Sequence, residues 1–161
     1  MKHSRIPKHA EHVYCGSVYD VYEWEQELFD GSVATFEDVV RVSSVSVFLL
    51  RNDLLCLVEQ TQPGKDAYIS LPGGRVERGE AVRVAAQREL CEEVGYSAAP
   101  RFLGSHTSYV PIWTKHYYAA DEDKALFVEP ALDPGEKIRP FYVTWDALEE
   151  LAVEGGLSDT V

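Results

Sequence analysis

The sequence has few cysteines and no long apolar run, and each shortage excludes a class of protein. Its three cysteines, Cys15, Cys56 and Cys91, are an odd number at scattered spacings without a Cys-x-x-Cys pair. This set excludes a disulfide scaffold and indicates reduced thiols, so we expect a cytoplasmic protein. The most apolar stretch, residues 45–58, is interrupted by charged and polar residues at 51–53 and is shorter than the roughly 20 residues of a membrane span.

Basic residues are also scarce. The chain carries 15 Lys and Arg residues against 27 Asp and Glu residues, which gives a formal net charge of −12 at pH 7. A surface of this charge does not attract nucleic acid or anionic lipid, so we expect neither a membrane nor a long nucleic acid as a partner. A ligand that carries phosphate groups would need cations placed locally around it.

The length and composition favour one folded domain. The 161 residues are 45% apolar and 26% charged, which is typical of a single globular domain. The first dozen residues are polar and basic and do not resemble a secretory signal, so we expect residues 1–17 to form a flexible tail and residues 18–161 to form the domain. Residues 18–42 predict a β-hairpin, because Tyr-, Val- and Trp-rich strands flank the turn at 29–32.

The remaining elements predict a mixed α/β protein. Residues 45–50 and 54–58 are apolar runs on either side of a polar turn, which is typical of two adjacent buried strands. Residues 80–94 contain neither Gly nor Pro and have helical spacing, with Gly95 at the expected C-cap. Further strands are predicted at 68–71, 102–109, 115–120 and 138–143, and a short helix at 145–153.

Three glutamates on the predicted helix are the first sign of chemistry. Glu89, Glu92 and Glu93 occupy positions i, i+3 and i+4, so their carboxylates lie on one face of the helix. Like charges at this spacing repel each other, and a hard divalent cation would turn the repulsion into coordination. Oxygen ligands favour Mg²⁺ or Mn²⁺ over Zn²⁺. Three glutamates alone are equally typical of a solvated acidic helix face.

The wider pattern around these glutamates is more specific. The register GX5EX7REUXEEXGU, with U an apolar residue, is matched by Gly74, Glu80, Arg88, Glu89, Leu90, Glu92, Glu93 and Gly95, and departs only in the aromatic Tyr96. Seven fixed identities would coincide by chance about once in 10⁶ chains of this length. The stretch resembles the Nudix box. This resemblance implies a Nudix-type α/β/α sandwich with a mixed central sheet and an N-terminal β-hairpin.

The resemblance also implies an activity, which is metal-dependent hydrolysis of a pyrophosphate joined to another group. It implies Glu92 and Glu93 as the principal ligands of Mg²⁺ or Mn²⁺, with Glu89 assisting and the Gly74 carbonyl facing the metal. Arg88 lies four residues before Glu92 and is expected to fix a neighbouring carboxylate by a charge-assisted hydrogen bond. Glu80 either joins this group or only meets the positive end of the helix dipole.

Several features resemble the ADP-ribose pyrophosphatase branch of the Nudix hydrolases. Pro111 lies 15 residues beyond Tyr96, a spacing that this branch often shows. The branch also has an N-terminal strand pair that reaches across a homodimer and stacks an aromatic ring on adenine. Trp24 or Tyr22 would fill that role here, although Trp24 is equally explained as ordinary hairpin packing.

Other candidates follow from the same resemblance. Glu136, in the loop at 133–138, matches a late glutamate near the attacking water, and without the resemblance it is a plain loop charge. Arg51 and Arg75 are candidates for phosphate contacts, and each is otherwise a surface charge. Gln62 departs from the branch, which usually has an arginine there, and the departure weakens the expected grip on the terminal ribose.

The sequence therefore predicts a Nudix hydrolase that binds a small nucleotide, forms a homodimer and cleaves ADP-ribose to AMP and ribose 5-phosphate. Two alternatives stay open. One is a MutT-like pyrophosphohydrolase of nucleoside triphosphates, which the hairpin and Pro111 disfavour. The other is a Nudix domain that senses a nucleotide sugar without cleaving it, although such domains often lack box glutamates that this chain retains.

Overall fold

The computed structural model describes residues 5–132 and 134–158, and the chain folds into two compact units. The first unit comprises the residues up to Ser43 together with His106–Thr114, and the second comprises Ser44–Ser105 and the residues from Lys115 onward. The described strands are β1 (Glu11–Cys15), β2 (Tyr19–Glu27), β3 (Val33–Arg41), β4 (Ser44–Arg51), β5 (Leu54–Thr61), β6 (Tyr68–Ser70), β7 (Tyr96–Ser97), β8 (Arg101–Tyr109), β9 (Ile112–Asp121), β10 (Leu126–Phe127) and β11 (Lys137–Val143). The described α-helices are α1 (Val82–Glu89) and α2 (Trp145–Val153).

The first unit is built on an antiparallel ribbon. Strands β2 and β3 pair along their whole length, with Trp24 opposite Phe36, which confirms the N-terminal hairpin expected at 18–42. Strand β1 pairs with the other edge of β2, from Glu11 opposite Glu23 to Cys15 opposite Asp20. The flexible tail expected at 1–17 is therefore too long, because residues 11–15 satisfy the backbone hydrogen bonds that the edge of β2 offers.

The second unit contains a mixed sheet with the strand order β9-β4-β5-β11, and β6 also pairs with β5. Strand β4 runs parallel to β9 and antiparallel to β5. Strand β11 is antiparallel to β5, and Tyr142 lies opposite Cys56. A small second ladder joins β10 to β7.

This sheet is covered on both faces, because alternate side chains of its strands enter two different cores. Val45, Val47 and Leu49 of β4 pack with α1 residues such as Ala85 and Ala86. On the opposite face, a second core gathers Leu55, Leu57 and Leu71 with partly buried residues of α2 and β11. The arrangement confirms the α/β/α sandwich that the sequence predicts.

The helix expected at 80–94 is the element that differs most from its prediction. Helix α1 begins at Val82 and gives way at Leu90 to a π-helical turn, Leu90–Val94. Gly95 closes this turn with φ 76°, and its N–H bonds to the Leu90 carbonyl, five residues back. A π-turn gives the side chains that follow it a different orientation from the one that a continuous α-helix would give them. Such turns occur often at functional sites.

In the described residues no helix is both long and apolar enough to cross a membrane.

Candidate functional site

The loop after β6, residues 71–74, contains two glycines and lies alongside β4. The Val45 N–H donates to the Gly74 carbonyl at 2.9 Å, and the Val47 N–H donates to the Pro72 carbonyl at 2.8 Å. Gly73 has φ 147°, and a Cβ there would collide with the Val45 carbonyl. Only glycine permits this close approach, which brings the loop backbone alongside the glutamates of α1 and the π-turn.

Arg88 joins three of the box carboxylates. Its Nε donates to Glu80 Oε1 at 3.0 Å, and its Nη1 donates to Glu89 Oε1 at 2.9 Å and to Glu92 Oε2 at 2.8 Å. Its Nη2 donates to the Arg75 carbonyl at 2.9 Å, which ties the helix to the loop after Gly74. The planar guanidinium has several donors in fixed directions, so one side chain orients three carboxylates.

Glu93 is held instead by neutral donors. The Gly73 N–H donates to its Oε2 at 2.7 Å, and Gln60 Nε2 donates to its Oε1 at 3.1 Å. The Tyr68 hydroxyl donates to Gln60 Oε1 at 2.8 Å and fixes the orientation of the amide. Sequence reasoning missed Gln60 and Tyr68; the available signal was a glutamine in the middle of a buried strand, where an amide needs polar partners.

Burial makes these carboxylates hard to ionise. Burial raises the pKa of Glu89 to about 7, against the lowering effect of Arg88, and the charges of Glu92 and Glu136 raise it further. Burial also raises the pKa of Glu93 well above its ordinary value, despite the hydrogen bond from Gly73. Glu80, Glu89 and Glu92 therefore share the guanidinium of Arg88, and within this group of described side chains the carboxylates outnumber the cation.

The donor set fits a hard divalent cation. Glu89, Glu92 and Glu93 offer carboxylate oxygens only, which are the ligands that Mg²⁺ and Mn²⁺ prefer. A bound cation would favour the ionised forms of Glu89 and Glu93, which burial and, to a smaller extent, the neighbouring carboxylates disfavour. Gly74 leaves room for this group, because a Cβ at Gly74 would collide with the Glu89 carboxylate. The Gly74 carbonyl accepts from Val45, and a carbonyl oxygen has a second lone pair with which to bind a cation.

Glu136 comes to the same region from the loop before β11. Gln62 Nε2 donates to Glu136 Oε1 at 3.1 Å, and Lys65 Nζ donates to Gln62 Oε1 at 2.8 Å. The charge of Glu136 contributes to the raised pKa values of both Glu89 and Glu93. Gln62, which stands where the related branch usually has an arginine, thus contacts a carboxylate of the candidate site.

The two candidate arginines lie in different surroundings. Arg75 is exposed, and its carbonyl accepts from Arg88. Arg51 lies in another cluster, where its Nη1 donates to Glu122 Oε1 at 3.2 Å and its guanidinium stacks on the Tyr142 ring at 3.8 Å. Phosphate contacts by Arg51 and Arg75 stay predictions, and Arg51 would first have to leave Glu122.

Three other candidates belong to the first unit. Tyr22 and Trp24 lie two residues apart on β2, so they share one face of the ribbon. The Trp24 ring packs at 6.1 Å from Phe36, and the Tyr22 ring stacks on His12 at 4.6 Å. Pro111 follows a cis peptide bond between β8 and β9. The substrate contacts expected of these three residues stay predictions.

Comparison with known proteins gives matches over most of the chain. The NUDIX domain model matches residues 40–159. The chain is 29% identical over 147 residues to the ADP-ribose pyrophosphatase of Bacillus subtilis (strain 168), which covers 86% of this chain and 78% of that protein. It is 34% identical over 89 residues to the methanol dehydrogenase activator of Bacillus methanolicus, covering 54% and 48%. A solved ADP compounds hydrolase shares the fold, with a TM-score of 0.70 at 21% identity over 91% of this chain and 81% of its own.

Proposed function

The chain belongs to the NUDIX family and is a Nudix pyrophosphohydrolase, and we propose that it hydrolyses a nucleoside diphosphate linked to another moiety, with ADP-ribose as substrate. The products are AMP and ribose 5-phosphate. The observation that carries the proposal is the cluster of Glu89, Glu92 and Glu93 beside Gly73 and Gly74, in which buried negative charge exceeds the local positive charge. A pyrophosphate is also anionic, so it would bind such a cluster only through cations.

We propose Mg²⁺ or Mn²⁺ as the cofactor, held by Glu89, Glu92, Glu93 and the Gly74 carbonyl. When bound, a divalent cation neutralises the charge on the phosphate oxygens and favours the leaving phosphate. Arg88 keeps Glu89 and Glu92 in place through its short hydrogen bonds. Gln60 and the Gly73 N–H do the same for Glu93.

The proposed base is Glu136. Its carboxylate would take a proton from the water that attacks one phosphorus, while the bond from that phosphorus to the bridging oxygen breaks. Gln62 holds Glu136 by one hydrogen bond and is itself held by Lys65, so the loop before β11 presents the carboxylate in a fixed orientation. Arg88 is a positioning residue, because its guanidinium is fully engaged with carboxylates and a carbonyl.

The relative in Bacillus subtilis supports ADP-ribose as the substrate, because its alignment covers 86% of this chain and so extends well beyond the box. The glutamine at position 62 argues for a weaker grip on the distal ribose. A charged hydrogen bond contributes roughly 1.5–3 kcal/mol, so its loss lowers affinity by about ten- to a hundredfold. We therefore expect a high KM for ADP-ribose and some cleavage of other ADP- or GDP-sugars.

A hydrolysis panel tests the proposal. Purified protein is incubated with Mg²⁺ and, in turn, ADP-ribose, GDP-sugars, dinucleoside polyphosphates and nucleoside triphosphates, and the products are separated by chromatography. We expect ADP-ribose to give AMP and ribose 5-phosphate in equal amounts with the highest kcat/KM. Conversion of triphosphates to monophosphate and pyrophosphate, with ADP-ribose untouched, would refute the substrate and favour the MutT-like alternative. Tight binding of a nucleotide sugar without cleavage would favour a sensing domain.

We also propose that the protein acts as a homodimer in the cytoplasm. Support for the dimer comes from apolar side chains exposed on the hairpin, including Phe29, Val33 and Phe36. A ribbon of strands with such a surface gains stability by pairing with a second copy. Light scattering tests this directly, and a monomer at assay concentrations would refute the proposed homodimer.

The proposed cytoplasmic location has separate support. Free Cys15, Cys56 and Cys91 support a reducing compartment.

A further inference from the structure

The first unit contains a group of side chains that the hydrolytic reaction does not use. His12 and Cys15 of β1 and Asp20 of β2 each present one ligand atom, and all these atoms lie within 4.8 Å of one another. Asp20 lies directly opposite Cys15 in the ladder between the two strands. The group combines an imidazole nitrogen, a thiol sulfur and a carboxylate oxygen, a donor set unlike the oxygen-only set of the box.

A β-bulge brings His12 and Cys15 to the same face. Residues three apart in a regular strand point to opposite faces, because side chains alternate. The β1–β2 register shifts between His12 and Tyr14, so that His12 lies opposite Tyr22 while Cys15 lies opposite Asp20. Asp20 and Tyr22 share a face of β2, and the extra residue in β1 therefore directs both of its ligands to that face. Bulges are known to re-aim side chains in this way.

The distance between His12 and Asp20 is close to that of two ligands on one tetrahedral cation. His12 Nε2 lies 3.1 Å from Asp20 Oδ1. Two ligands bound to one tetrahedral Zn²⁺ at the usual nitrogen and oxygen distances lie about 3.3 Å apart. The Tyr22 ring stacks on the His12 imidazole at 4.6 Å and 11°, which limits rotation of the imidazole. In the metal-free protein these two atoms share a hydrogen bond, and a cation would replace that proton.

We propose that His12 Nε2, the Cys15 thiolate and an Asp20 carboxylate oxygen bind Zn²⁺. Thiolate and imidazole ligands favour Zn²⁺ over Mg²⁺ and Ca²⁺, so this site is selective against the cation that the box takes. The side chain of Asp20 is 12% exposed and that of His12 39% exposed, and Cys15 is exposed, so water has access to the fourth position. Bound Zn²⁺ would fasten β1 to β2 and fix the Tyr22 ring beside it.

Cobalt is the probe, because Co²⁺ takes the same ligands and a thiolate–Co²⁺ bond gives a charge-transfer absorption in the near ultraviolet. Untagged protein in a reducing buffer is titrated with Co²⁺ in the presence of excess Mg²⁺. We expect one equivalent of Co²⁺ to give this band and Zn²⁺ to remove it by displacement. Absence of the band in the wild-type protein would overturn the proposal.

Variants assign the band to its residues. Cys15→Ser should abolish it, and His12→Ala or Asp20→Asn should weaken Co²⁺ affinity at least about tenfold, since even indirect contacts to a metal matter that much. The matched control is Cys91→Ser, which should keep the band; burial raises the pKa of Cys56 to about 12, so that thiol does not compete. Circular dichroism checks that each variant is folded. A band that survives in folded Cys15→Ser, or is lost in Cys91→Ser, would overturn the assignment.

The Zn²⁺ site is independent of the proposed function. Glu93→Gln changes a proposed box ligand and should leave the charge-transfer band unchanged, because the ligands proposed at the box are all oxygen atoms. In the wild-type protein, the band without ADP-ribose hydrolysis would count against the proposed substrate alone, and ADP-ribose hydrolysis without the band would count against the Zn²⁺ site alone.

Discussion

Two buried carboxylate clusters lie within the second unit, and they are balanced in different ways. Glu122 accepts from Arg51 at 3.2 Å and from the Tyr142 hydroxyl, and Arg51 stacks on the Tyr142 ring. Here one carboxylate meets one guanidinium. At the box, Arg88 serves Glu80, Glu89 and Glu92 together, and Glu93 has the neutral donors Gln60 and Gly73.

The difference separates a structural ion pair from the site at which we propose a cation. In the Glu122 cluster the charge of the carboxylate is balanced by the charge of Arg51, so this ion pair can stabilise the fold without a bound cation. At the box, burial raises the pKa of Glu89 and Glu93, and the neighbouring carboxylates raise both further. Retention of this desolvation cost in the core favours a functional role for the cluster.

The largest expected effect comes from neutralising a box ligand. Glu93→Gln keeps the shape of the side chain but removes its charge, so we expect kcat for ADP-ribose to fall by about 100-fold or more. The metal-free variant should stay folded and unfold at the same or a lower temperature than the wild type, because its amide nitrogen would face one of the two N–H donors that bond to Glu93. Steady-state kinetics and calorimetry in EDTA measure the two quantities. Unchanged kcat in a folded variant would refute the role of Glu93.

The second expected effect is at Glu122, where a substitution should lower stability and leave kcat nearly unchanged. Glu122→Gln leaves Arg51 and Tyr142 without their charged partner, and we expect a loss of about 2 kcal/mol in the free energy of unfolding. Because this cluster holds no reacting group, kcat should change less than about threefold once the variant is folded. Urea denaturation measures the stability. A variant as stable as the wild type would show that the Glu122 pair is not a structural ion pair.

A third test uses pH. The pKa of Glu89 in the folded protein is about 7, and that of Glu93 is also raised above its ordinary value. Both groups bind protons more tightly in the folded state, so their contribution to stability is complete below the ordinary glutamate pKa and is lost as the pH rises through about 7. In EDTA we expect the loss of this contribution to lower the melting temperature between pH 5 and pH 8. Added Mg²⁺ should raise the melting temperature again at pH 8. The same curves of melting temperature against pH, measured for Glu93→Gln, isolate the contribution of Glu93. Equal slopes of these curves in the variant and the wild type would contradict the prediction.

A smaller effect is expected at Gln62. Gln62→Ala removes the hydrogen bond to Glu136, and we expect kcat to fall about tenfold with little change in KM, because a positioned base contributes mainly to the chemical step. Gln87→Ala, an exposed glutamine on α1, is the matched control and should behave as the wild type. A rise in KM with constant kcat would instead place Gln62 in substrate binding.

The smallest expected effect lies in the first unit. Trp24→Ala removes the ring proposed to stack on the base, and an aromatic contact contributes about 0.5–1.5 kcal/mol, so KM should rise roughly two- to twelvefold. Trp113→Phe provides a comparison that changes another tryptophan of the same unit and should leave KM unchanged. If Trp24→Ala alters stability but not KM, the ring serves only to pack against Phe36.

The sequence predicts the elements that depend on local pattern. Helix α2 occurs at the predicted residues, and Gly95 adopts the left-handed conformation expected of a C-cap. The π-turn was not predictable, because α and π turns have nearly the same local preferences and packing decides between them. Strand β1 was missed because its residues are exposed and lack apolar alternation, so only pairing with β2 reveals it.

At the candidate site, the Nudix pattern predicts the acidic residues but not what holds them. Gln60 and Glu93 are far apart in the chain, and no spacing rule joins them; the contact depends on how β5 packs beneath the π-turn. Likewise, the sequence alone does not show that Glu122 lies beside Arg51. Long-range ion pairs of this kind follow from the tertiary fold and not from local sequence.

The most direct test of the central claim, that excess box charge serves a cation-dependent hydrolysis, is the rate of ADP-ribose cleavage before and after chelation. The wild-type protein is assayed with Mg²⁺, then with excess EDTA, and then with Mg²⁺ restored, and AMP and ribose 5-phosphate are quantified together. We predict equal amounts of both products with Mg²⁺, none above background in EDTA, and full recovery when Mg²⁺ returns. An undiminished rate of AMP formation in EDTA would contradict the account.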